Sequence, residues 1–335
     1  MIHRSGAVFI TRRASGRKTG FPFWRIGRGS SALRSGPNSG KTRPMKAALL
    51  NDRGVLRVSG EPARAFLHNL VTANIETLTP GHARYAALLT PQGKIIVDFF
   101  VVEAPAEDGG GFFIDAPKAL VPDLLQKLTF YKLRAKVTIE PLDAMAVLAA
   151  WDGIGATEYG LDYRDPRLPA LGQRLLVPSD VVKEAAADLG ADLVDASEYD
   201  AHRIALGVPR GGRDFIYGDV FPHDADLDKL GGVDFKKGCF IGQEVVSRVE
   251  HRGTARNRIV PVAFDAHAAE DGSTVMAGDK NVGIMGSSAG SIGLAMLRVD
   301  RVADALAAGV PLVAGGIPMT LRDGAVADFF KDTKA

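Results

Sequence analysis

The chain has one cysteine, Cys239, among its 335 residues. A single thiol cannot form a disulfide within the chain, and it cannot supply the four cysteine ligands of a structural zinc site or an iron–sulfur cluster. The sequence therefore excludes a disulfide-bonded scaffold, and we expect a reducing compartment and no metal site formed by the chain alone. Any cluster bound through Cys239 would need cysteines from a second protein.

Long hydrophobic runs are also missing. The longest candidate, Ile95 to Val102, is interrupted by Asp98 and is far shorter than the roughly 20 apolar residues of a membrane-spanning helix. Hydrophobic residues nevertheless make up 46% of the chain and charged residues 24%, which excludes a disordered or fibrous protein. We expect a soluble protein of two or three domains with a substantial core and no membrane partner.

Acidic residues are absent from the first 44 positions, which hold eight arginines and two lysines. Two interpretations of this segment stay open: an organellar transit peptide, or an upstream extension ahead of a start at Met45. Direct binding of nucleic acid by the basic run is a third and less favoured reading. The body from Met45 onward carries a formal charge of about −8, which is not the electrostatic footprint of a nucleic-acid-binding protein.

Apolar spacing in the body predicts an α+β fold. A short strand at 55–58 leads into a helix carrying Phe66, Leu67 and Leu70, and residues 84–102 are typical of a β-hairpin that turns at Thr90–Gly93. After residue 258 the pattern changes to short β-type runs separated by glycines, which predicts a small barrel. Mixed strands and helices with a hairpin favour α+β over a doubly wound sheet.

These patterns divide the chain into four segments. We predict a basic extension at 1–44, a first α+β lobe at 45–145, a second α+β lobe at 146–256 and a C-terminal β-barrel at 257–335. The last helix of the second lobe opens with Asp195 and has Glu198 three residues later, the spacing of a capping box.

The densest cluster of chemically active residues is V-D-F-K-K-G-C-F-I-G-Q-E at 233–244. Two lysines directly before Cys239 would favour its thiolate, and the flanking glycines would let a ligand approach the sulfur. A helix beginning near Gly242 would add backbone N–H donors. The alternative is a buried cysteine that acts as a small hydrophobic residue between Phe235 and Phe240.

The string K-K-G-C-F-I-G-Q-E at 236–244 resembles the signature of the YgfZ family, folate-binding proteins that support iron–sulfur cluster assembly in bacteria and mitochondria. The similarity continues through H-R-I-A-L-G-V-P at 202–209 and F-P-H at 221–223. The segments F-L-H-N-L-V-T-A-N at 66–74 and L-L-T-P-Q-G-K at 88–94 resemble the glycine cleavage T-protein, an aminomethyltransferase. The resemblance covers about residues 46–330.

This resemblance implies a T-protein-like fold, in which two α+β lobes and a C-terminal β-barrel surround a central channel for tetrahydrofolate. It implies an accessory factor for assembly or repair of iron–sulfur clusters, chiefly in maturation of [4Fe–4S] proteins, and not a turnover enzyme. The implied partners are iron–sulfur assembly proteins and [4Fe–4S] client enzymes. We expect a cytoplasmic location, or the mitochondrial matrix if residues 1–44 are a transit peptide.

The resemblance also implies that Lys237 and Cys239 are the functionally important pair. Our hypothesis is that Lys237 activates the Cys239 thiol, which takes part in transfer or repair of a cluster. Since one thiol cannot hold a [4Fe–4S] cluster, Cys239 would act as a transient ligand or together with cysteines of a partner.

A folate site needs an aromatic face for the pterin, a carboxylate for its N–H edge and a cation for the glutamate tail. The resemblance implies Tyr199 for the face. Without the resemblance, ordinary packing and a solvated helix face would be the favoured explanation for Tyr199 and Arg203, and a satisfied core aspartate is the alternative for Asp98. The residues that we predict to bind folate are Tyr199, Asp98, Arg203, Arg248, Gln243 and Glu244.

Two carboxylates of the transferase pattern are missing. Where the T-protein has adjacent aspartates the chain has Val97-Asp98, and where it has a glutamate after an arginine the chain has Ala205. Their loss disfavours the alternative function, a tetrahydrofolate-dependent aminomethyltransferase or related one-carbon transferase. A third hypothesis is a link to tRNA modification. Because the body of the chain is acidic, we expect this link to be indirect, through an iron–sulfur enzyme that modifies tRNA.

Overall fold

The computed structural model describes residues 44–106, 110–252 and 255–322. The predicted basic extension lies outside this part of the chain except for Pro44. Within the described residues, the strands form two five-stranded sheets and one closed six-stranded barrel. No helix in these ranges is long and apolar enough to cross a membrane.

The first sheet is antiparallel throughout, because each of its neighbouring strand pairs runs in opposite directions. The predicted hairpin at 84–102 is confirmed, and its two strands are neighbours at one edge of this sheet. In spatial order the strands are β3 (Ala83–Leu89), β4 (Ile95–Glu103), β5 (Phe112–Pro117), β2 (Arg53–Ser59) and β6 (Thr138–Pro141).

Two helices cover one face of this sheet, α1 (Ala63–Leu70) and α2 (Val121–Lys132). Side chains alternate between the faces of a strand, and on β4 Phe99 packs in the cluster beneath these helices whereas Phe100 packs in the core on the other face. Asp98 is two residues before Phe100 and therefore lies on the same face of β4. The carboxylate within this apolar run therefore faces away from the helices.

The second sheet combines antiparallel pairs with one parallel pair between β1 and β10. Its order is β10 (Asp192–Val194), β1 (Lys46–Leu49), β7 (Met145–Trp151), β9 (Gln173–Pro178) and β8 (Leu161–Arg164). The strand β1 comes from the segment that we assigned to the first lobe, so the chain crosses between the lobes at its start. The predicted lobe boundaries stay a prediction.

Helix α3 (Val182–Asp188) connects β9 to β10, and α4 (Ala196–Ala205) follows β10. Asp195 caps α4 as predicted, because its side chain accepts a hydrogen bond of 2.8 Å from Ser197 N. The other half of the predicted capping box is wrong. Glu198 instead pairs with Lys46 Nζ at 2.6 Å and joins α4 to β1.

The two sheets pack face to face. Val55 and Phe100 of the first sheet share one buried cluster with Trp151 and Leu176 of the second. The outer face of the second sheet packs on α3, in a cluster that includes Leu175 and Ala185. The layers are thus helix, sheet, sheet and helix, which confirms the predicted α+β architecture.

The predicted C-terminal barrel is also confirmed. Pairing between its first strand, Asn257–Ala263, and its last, Ile317–Leu321, closes it, so no strand edge of this sheet is left open. Helix α5 (Gln243–Arg252) precedes the barrel, and α6 (Val299–Ala307) is inserted into it. In spatial order its strands are β11 (Asn257–Ala263), β14 (Ile292–Arg298), β13 (Lys280–Ala289), β12 (Thr274–Ala277), β15 (Leu312–Ala314) and β16 (Ile317–Leu321).

A buried carboxylate joins the two sheets. Asp115 on β5 has no solvent exposure and accepts hydrogen bonds from Arg53 Nε at 2.6 Å and Arg174 Nε at 2.8 Å. Tyr163 of the second sheet donates to the same carboxylate at 2.8 Å. Burial raises the pKa of Asp115, but Arg174 and Arg53 outweigh it and hold the pKa below its ordinary value. Asp115 is therefore ionised and paired at neutral pH.

Replacement of Asp115 by alanine leaves two buried guanidinium groups without their counterion. We expect Asp115→Ala to lower the free energy of unfolding by about 3 to 5 kcal/mol, measured by urea denaturation followed by circular dichroism. Asp180→Ala, at an exposed position, is the matched control and should change it by less than about 0.5 kcal/mol. Equal effects of the two substitutions would show that Asp115 does not hold the sheets together.

Candidate functional site

Asp98 lies between the two sheets with 6% of its surface exposed. Its Oδ2 accepts a hydrogen bond of 2.7 Å from the hydroxyl of Tyr85, and its Oδ1 accepts one from the hydroxyl of Tyr217. Burial and the Asp98 charge raise the pKa of both tyrosines well above the ordinary value. The hydroxyls therefore stay protonated and donate to the carboxylate.

Three arginines surround the ring of Phe100, two positions along the same strand. The Cζ atoms lie 4.6 Å from the ring centroid for Arg174, 4.9 Å for Arg167 and 5.7 Å for Arg53. Attraction between guanidinium groups and an aromatic face accounts for this arrangement. The centre of the molecule thus combines a carboxylate, aromatic rings and several cations.

Tyr199 joins the same network from α4. It is buried and packs against Trp151 with the rings tilted by 54° and 5.6 Å between their centroids, and its hydroxyl accepts a hydrogen bond of 3.3 Å from Arg167. Arg167 in turn lies 5.6 Å from the ring centroid of Tyr85, which binds Asp98. The structure therefore brings Tyr199 and Asp98 together through two residues that the sequence did not single out.

Arg203 is used elsewhere. Its Nη1 donates to Asp214 Oδ2 at 2.8 Å and its Nη2 donates to Ser287 Oγ at 2.9 Å. The remaining Nε binds Asp200 at 2.7 Å. One of these bonds joins α4 to the barrel, one stays within α4 and one reaches the loop after it. Because all three nitrogens are engaged, the structure does not support Arg203 as the ligand of a folate tail.

Lys237 also differs from the expectation. Its ammonium donates to three backbone carbonyls at the end of α1 and just after it, those of His68, Val71 and Ala73, the last two at 2.6 and 3.0 Å. These acceptors use all three N–H groups of a lysine. Burial lowers the pKa of Lys237 to about 8, although the negative charges of Asp234 and Glu76 act to raise it. The residue that we expected to activate Cys239 instead clamps the loop of residues 233–242, which carries Cys239, to the first lobe.

Cys239 is exposed, so the alternative of a buried packing cysteine is wrong. Both ends of the 233–242 loop are held. Asp234 Oδ1 accepts from the backbone N–H groups of Lys236 and Lys237 at 2.8 and 3.1 Å. At the other end Gly242 has φ of 80°, and a Cβ there would lie 2.5 Å from the carbonyl oxygen of Thr90. Only glycine fits this approach, and the thiol is held out on a fixed loop.

Helix α5 carries the other three predicted folate residues. It begins at Gln243, one residue after the predicted start near Gly242. Glu244 and Arg248 are exposed and form an i, i+4 ion pair of 2.7 Å, a pair worth only a few tenths of a kcal/mol on a helix surface. These residues lie next to the thiol loop, and their role in binding folate stays a prediction.

An open cleft of about 400 Å³ lies beside the thiol loop. It differs from the central network because it is open to solvent, whereas Asp98 and Tyr199 are buried. The lining residues are Ala73, Asn74, Thr77, Arg84, Gly231, Val233, Asp234, Phe235 and Lys236.

Residues His223, Asp228 and Glu250 bring three possible metal-ligand atoms within 4.8 Å of one another. Arg258 binds both oxygens of Asp228, at 2.7 and 2.9 Å. The guanidinium already neutralises the carboxylate that a cation would need. We assign the cluster to packing of α5 against the barrel.

Sequence reasoning missed most of the central network. Asp115 could have been found by the argument used for Asp98, since both are carboxylates inside apolar strands. Tyr85, Arg167 and Tyr217 carry no such signal, because a tyrosine or arginine in a strand or loop is ordinary on its own.

Comparisons with known proteins agree with this architecture. Residues 256–327 match the family model described as CAF17, C-terminal beta-barrel domain. The glycine cleavage aminomethyltransferase T from Bartonella henselae aligns with a TM-score of 0.68 over 85% of this chain and 87% of that one, at 15% identity. The T-protein-like fold that we expected is therefore confirmed.

Curated relatives give the family. The mouse protein named iron-sulfur cluster assembly factor IBA57, mitochondrial, is 30% identical over 332 residues, which are 88% of this chain and 91% of the relative. The chain belongs to the IBA57 family. A homologue of IBA57 in Mycosarcoma maydis is 36% identical over 233 residues. The matched stretch spans 57% of that relative's length and 65% of this chain.

The two lysines of the box provide a matched test of the clamp. Lys237→Met removes the donor to three carbonyls while keeping the length of the side chain, and we expect it to lower the free energy of unfolding by about 1 to 3 kcal/mol. Lys236→Met, at the exposed neighbouring position, should change it by less than about 0.5 kcal/mol. Urea denaturation of both variants decides, and equal losses would rule out the clamp.

The exposure of Cys239 predicts fast modification in the native state. A maleimide should label one thiol per chain without denaturant, as determined by mass spectrometry of the intact protein. The Cys239→Ser variant should take up none, since the chain has no other cysteine. Labelling that requires urea would contradict the placement of the loop.

Proposed function

We propose that this chain is an accessory factor in the assembly or repair of iron–sulfur clusters and serves the maturation of [4Fe–4S] proteins. One observation carries the proposal: the only thiol of the chain stands exposed on a loop that is held at both ends. The names of the family members, iron-sulfur cluster assembly factors, support it.

The loop geometry favours brief ligation over storage of a cluster. One thiolate supplies one of the four ligands that a cluster takes, so the remaining ligands must come from partner proteins. A thiol on a rigid loop loses little conformational freedom when it binds a metal held by another protein. Cys239 therefore serves as a transient ligand, and Lys237 positions the loop that carries it.

The partners on this proposal are iron–sulfur assembly proteins and [4Fe–4S] client enzymes. The cleft beside the thiol loop, with Arg84 and Lys236 in its lining, offers such a partner polar contacts next to the sulfur. Those contacts would orient the partner's cysteines towards Cys239.

Tetrahydrofolate is proposed as the small-molecule ligand. The central network fits its chemistry, because Asp98 offers a carboxylate for the pterin edge and the rings of Tyr85 and Tyr199 offer aromatic faces. Arg248, the other cation that we predicted for the glutamate tail, is exposed on α5 and remains the candidate, because Arg167 already binds both oxygens of the buried Asp165. When bound, tetrahydrofolate supplies a reduced pterin able to carry one-carbon units. The residues of this chain bind and orient it.

The alternative function is aminomethyl transfer, which the shared fold with an aminomethyltransferase favours. The absence of the neighbouring carboxylates argues against it, because the chain has Val97 and Ala205 where the transferase pattern has acids. Asp98 accepts hydrogen bonds from two tyrosines, and each of its oxygens keeps a second acceptor position for a pterin N–H.

For its location we propose the mitochondrial matrix, since the relatives are named as mitochondrial proteins; the same names do not support the cytoplasmic expectation. Closer kinship with the YgfZ branch, suggested by the box at 236–244, and an indirect effect on tRNA modification remain proposals.

Complementation tests the role of the thiol. Cells that lack their own family member receive the wild type, Cys239→Ser or the surface variant Asp180→Ala at equal protein level, and the activity of a [4Fe–4S] enzyme is measured. We expect the wild type and Asp180→Ala to restore activity and Cys239→Ser to restore less than about a tenth of it, because a hydroxyl is a poor ligand for iron in a cluster.

Full rescue by Cys239→Ser would refute the role of the thiol. If none of the three variants rescues a host in which a known family member does, the assembly role itself is wrong. Turnover with an aminomethylated carrier protein and tetrahydrofolate would then establish the transferase.

A further inference from the structure

The end of α2 carries two large apolar side chains in solvent. Phe130 is 73% exposed and Leu133 is 83% exposed. Helix α2 buries Leu124 and Leu128 against the first sheet, and Phe130 lies about 200° around the helix from Leu128. Burial in the fold therefore does not account for either apolar side chain.

Leu133 is also held in an unfavourable backbone conformation. It ends α2 with φ of 47° and ψ of −110°, a region that glycine occupies freely and that costs a leucine about 1 to 3 kcal/mol. Leu133 therefore stabilises the fold neither by burying apolar surface nor by adopting a favourable backbone conformation. Residues kept in strained conformations cluster at functional sites.

The two apolar side chains are surrounded by positive charge. The segment 124–139 has four basic residues and no acidic one, although the body of the chain is acidic. None of the four forms an ion pair within the described ranges. We call this surface the α2 tip, and it consists of Lys127, Phe130, Lys132, Leu133, Arg134 and Lys136.

We propose that the α2 tip inserts into the surface of an anionic membrane. Side chains that keep more than two thirds of their exposure protrude from the surface and do not line a groove, which is the geometry that insertion into a lipid layer needs. Phenylalanine and leucine among basic residues combine apolar burial with attraction to anionic headgroups. Because the rest of the body is acidic, such a membrane attracts this corner and repels other surfaces.

This proposal does not conflict with the lack of a spanning helix, on which the expectation of no membrane partner was based. Binding at a surface needs neither length nor a continuous apolar run. The tip belongs to the β2–β6 side of the first sheet, since α2 packs against those strands, whereas Gly242 of the thiol loop approaches the β3–β4 hairpin. The chain could bind a membrane at one edge and a partner at the other.

A local probe tests insertion directly. The full-length chain with Cys239→Ser and Leu133→Cys is labelled with the environment-sensitive dye NBD and mixed with vesicles of phosphatidylcholine alone or with added cardiolipin. We expect a blue shift and an increase in emission only with cardiolipin. The matched control carries the dye at Ile216→Cys, a residue that is 69% exposed elsewhere, and its emission should not change.

Charge and apolar contributions are separated by vesicle co-sedimentation. Joint replacement of Lys132, Arg134 and Lys136 by glutamate should weaken binding about a hundredfold or more, whereas Lys183→Glu on α3 should leave it unchanged. Phe130→Ser with Leu133→Gly should weaken it about tenfold or more. Relief of the strain at position 133 keeps that variant folded, and thermal denaturation verifies this.

The basic residues of 1–44 can attract the chain to anionic vesicles without specificity, so co-sedimentation alone is not sufficient. If the dye at position 133 stays in water while the protein sediments with the vesicles, the proposal is wrong. It is equally wrong if soluble polyglutamate shifts the emission and vesicles do not, since the tip would then bind an acidic protein.

Discussion

The structure depends on a carboxylate buried between two sheets. Asp115 receives hydrogen bonds from Arg53 in its own sheet and from Arg174 and Tyr163 in the other. Apolar packing brings the sheets together without fixing how far one slides along the other, because the hydrophobic effect has no direction. A charged acceptor with fixed donors on both sides specifies that alignment, and it places the arginines around Phe100.

The same alignment shapes the candidate ligand site. Arg174 binds Asp115 and lies over Phe100, and Arg167 joins Phe100 to Tyr199. Tyrosines close the carboxylate of Asp98 from two sides. The central network thus presents aromatic and cationic groups, and hydrogen bonds hold its two further carboxylates, Asp98 and Asp165.

The exposed thiol and the proposed membrane-binding surface lie at different places in the molecule. The thiol lies on a loop fixed by Lys237, Asp234 and Gly242 near the β3–β4 hairpin, and the apolar α2 tip lies at the other edge of the same sheet. The thiol and the α2 tip are both exposed. Each depends on a feature that lies outside the hydrophobic clusters of the fold. A buried ammonium supports the first, and a strained leucine marks the second.

The sequence by itself determined the elements and the reactive group. Apolar periodicity located the hairpin, the cap of α4 and the barrel, because these depend on residues close together in the chain. The uniqueness of Cys239 is likewise a property of sequence, and it restricts any cluster to shared ligation. We expected the glycines around it to let a ligand approach the sulfur; the structure shows instead that Gly242 allows close approach of the protein's own backbone at Thr90.

Only the tertiary structure decided which charges meet. Lys237 reaches His68 across 169 positions of sequence, and Tyr217 reaches Asp98 across 119. From the sequence we expected Lys237 to act on Cys239, two residues away, and Arg203 to bind a ligand. Pairing of a buried charge depends on which donors and acceptors folding brings within about 3 Å. Spacing along the chain carries no information about such distances, so those assignments could come only from the packed lobes.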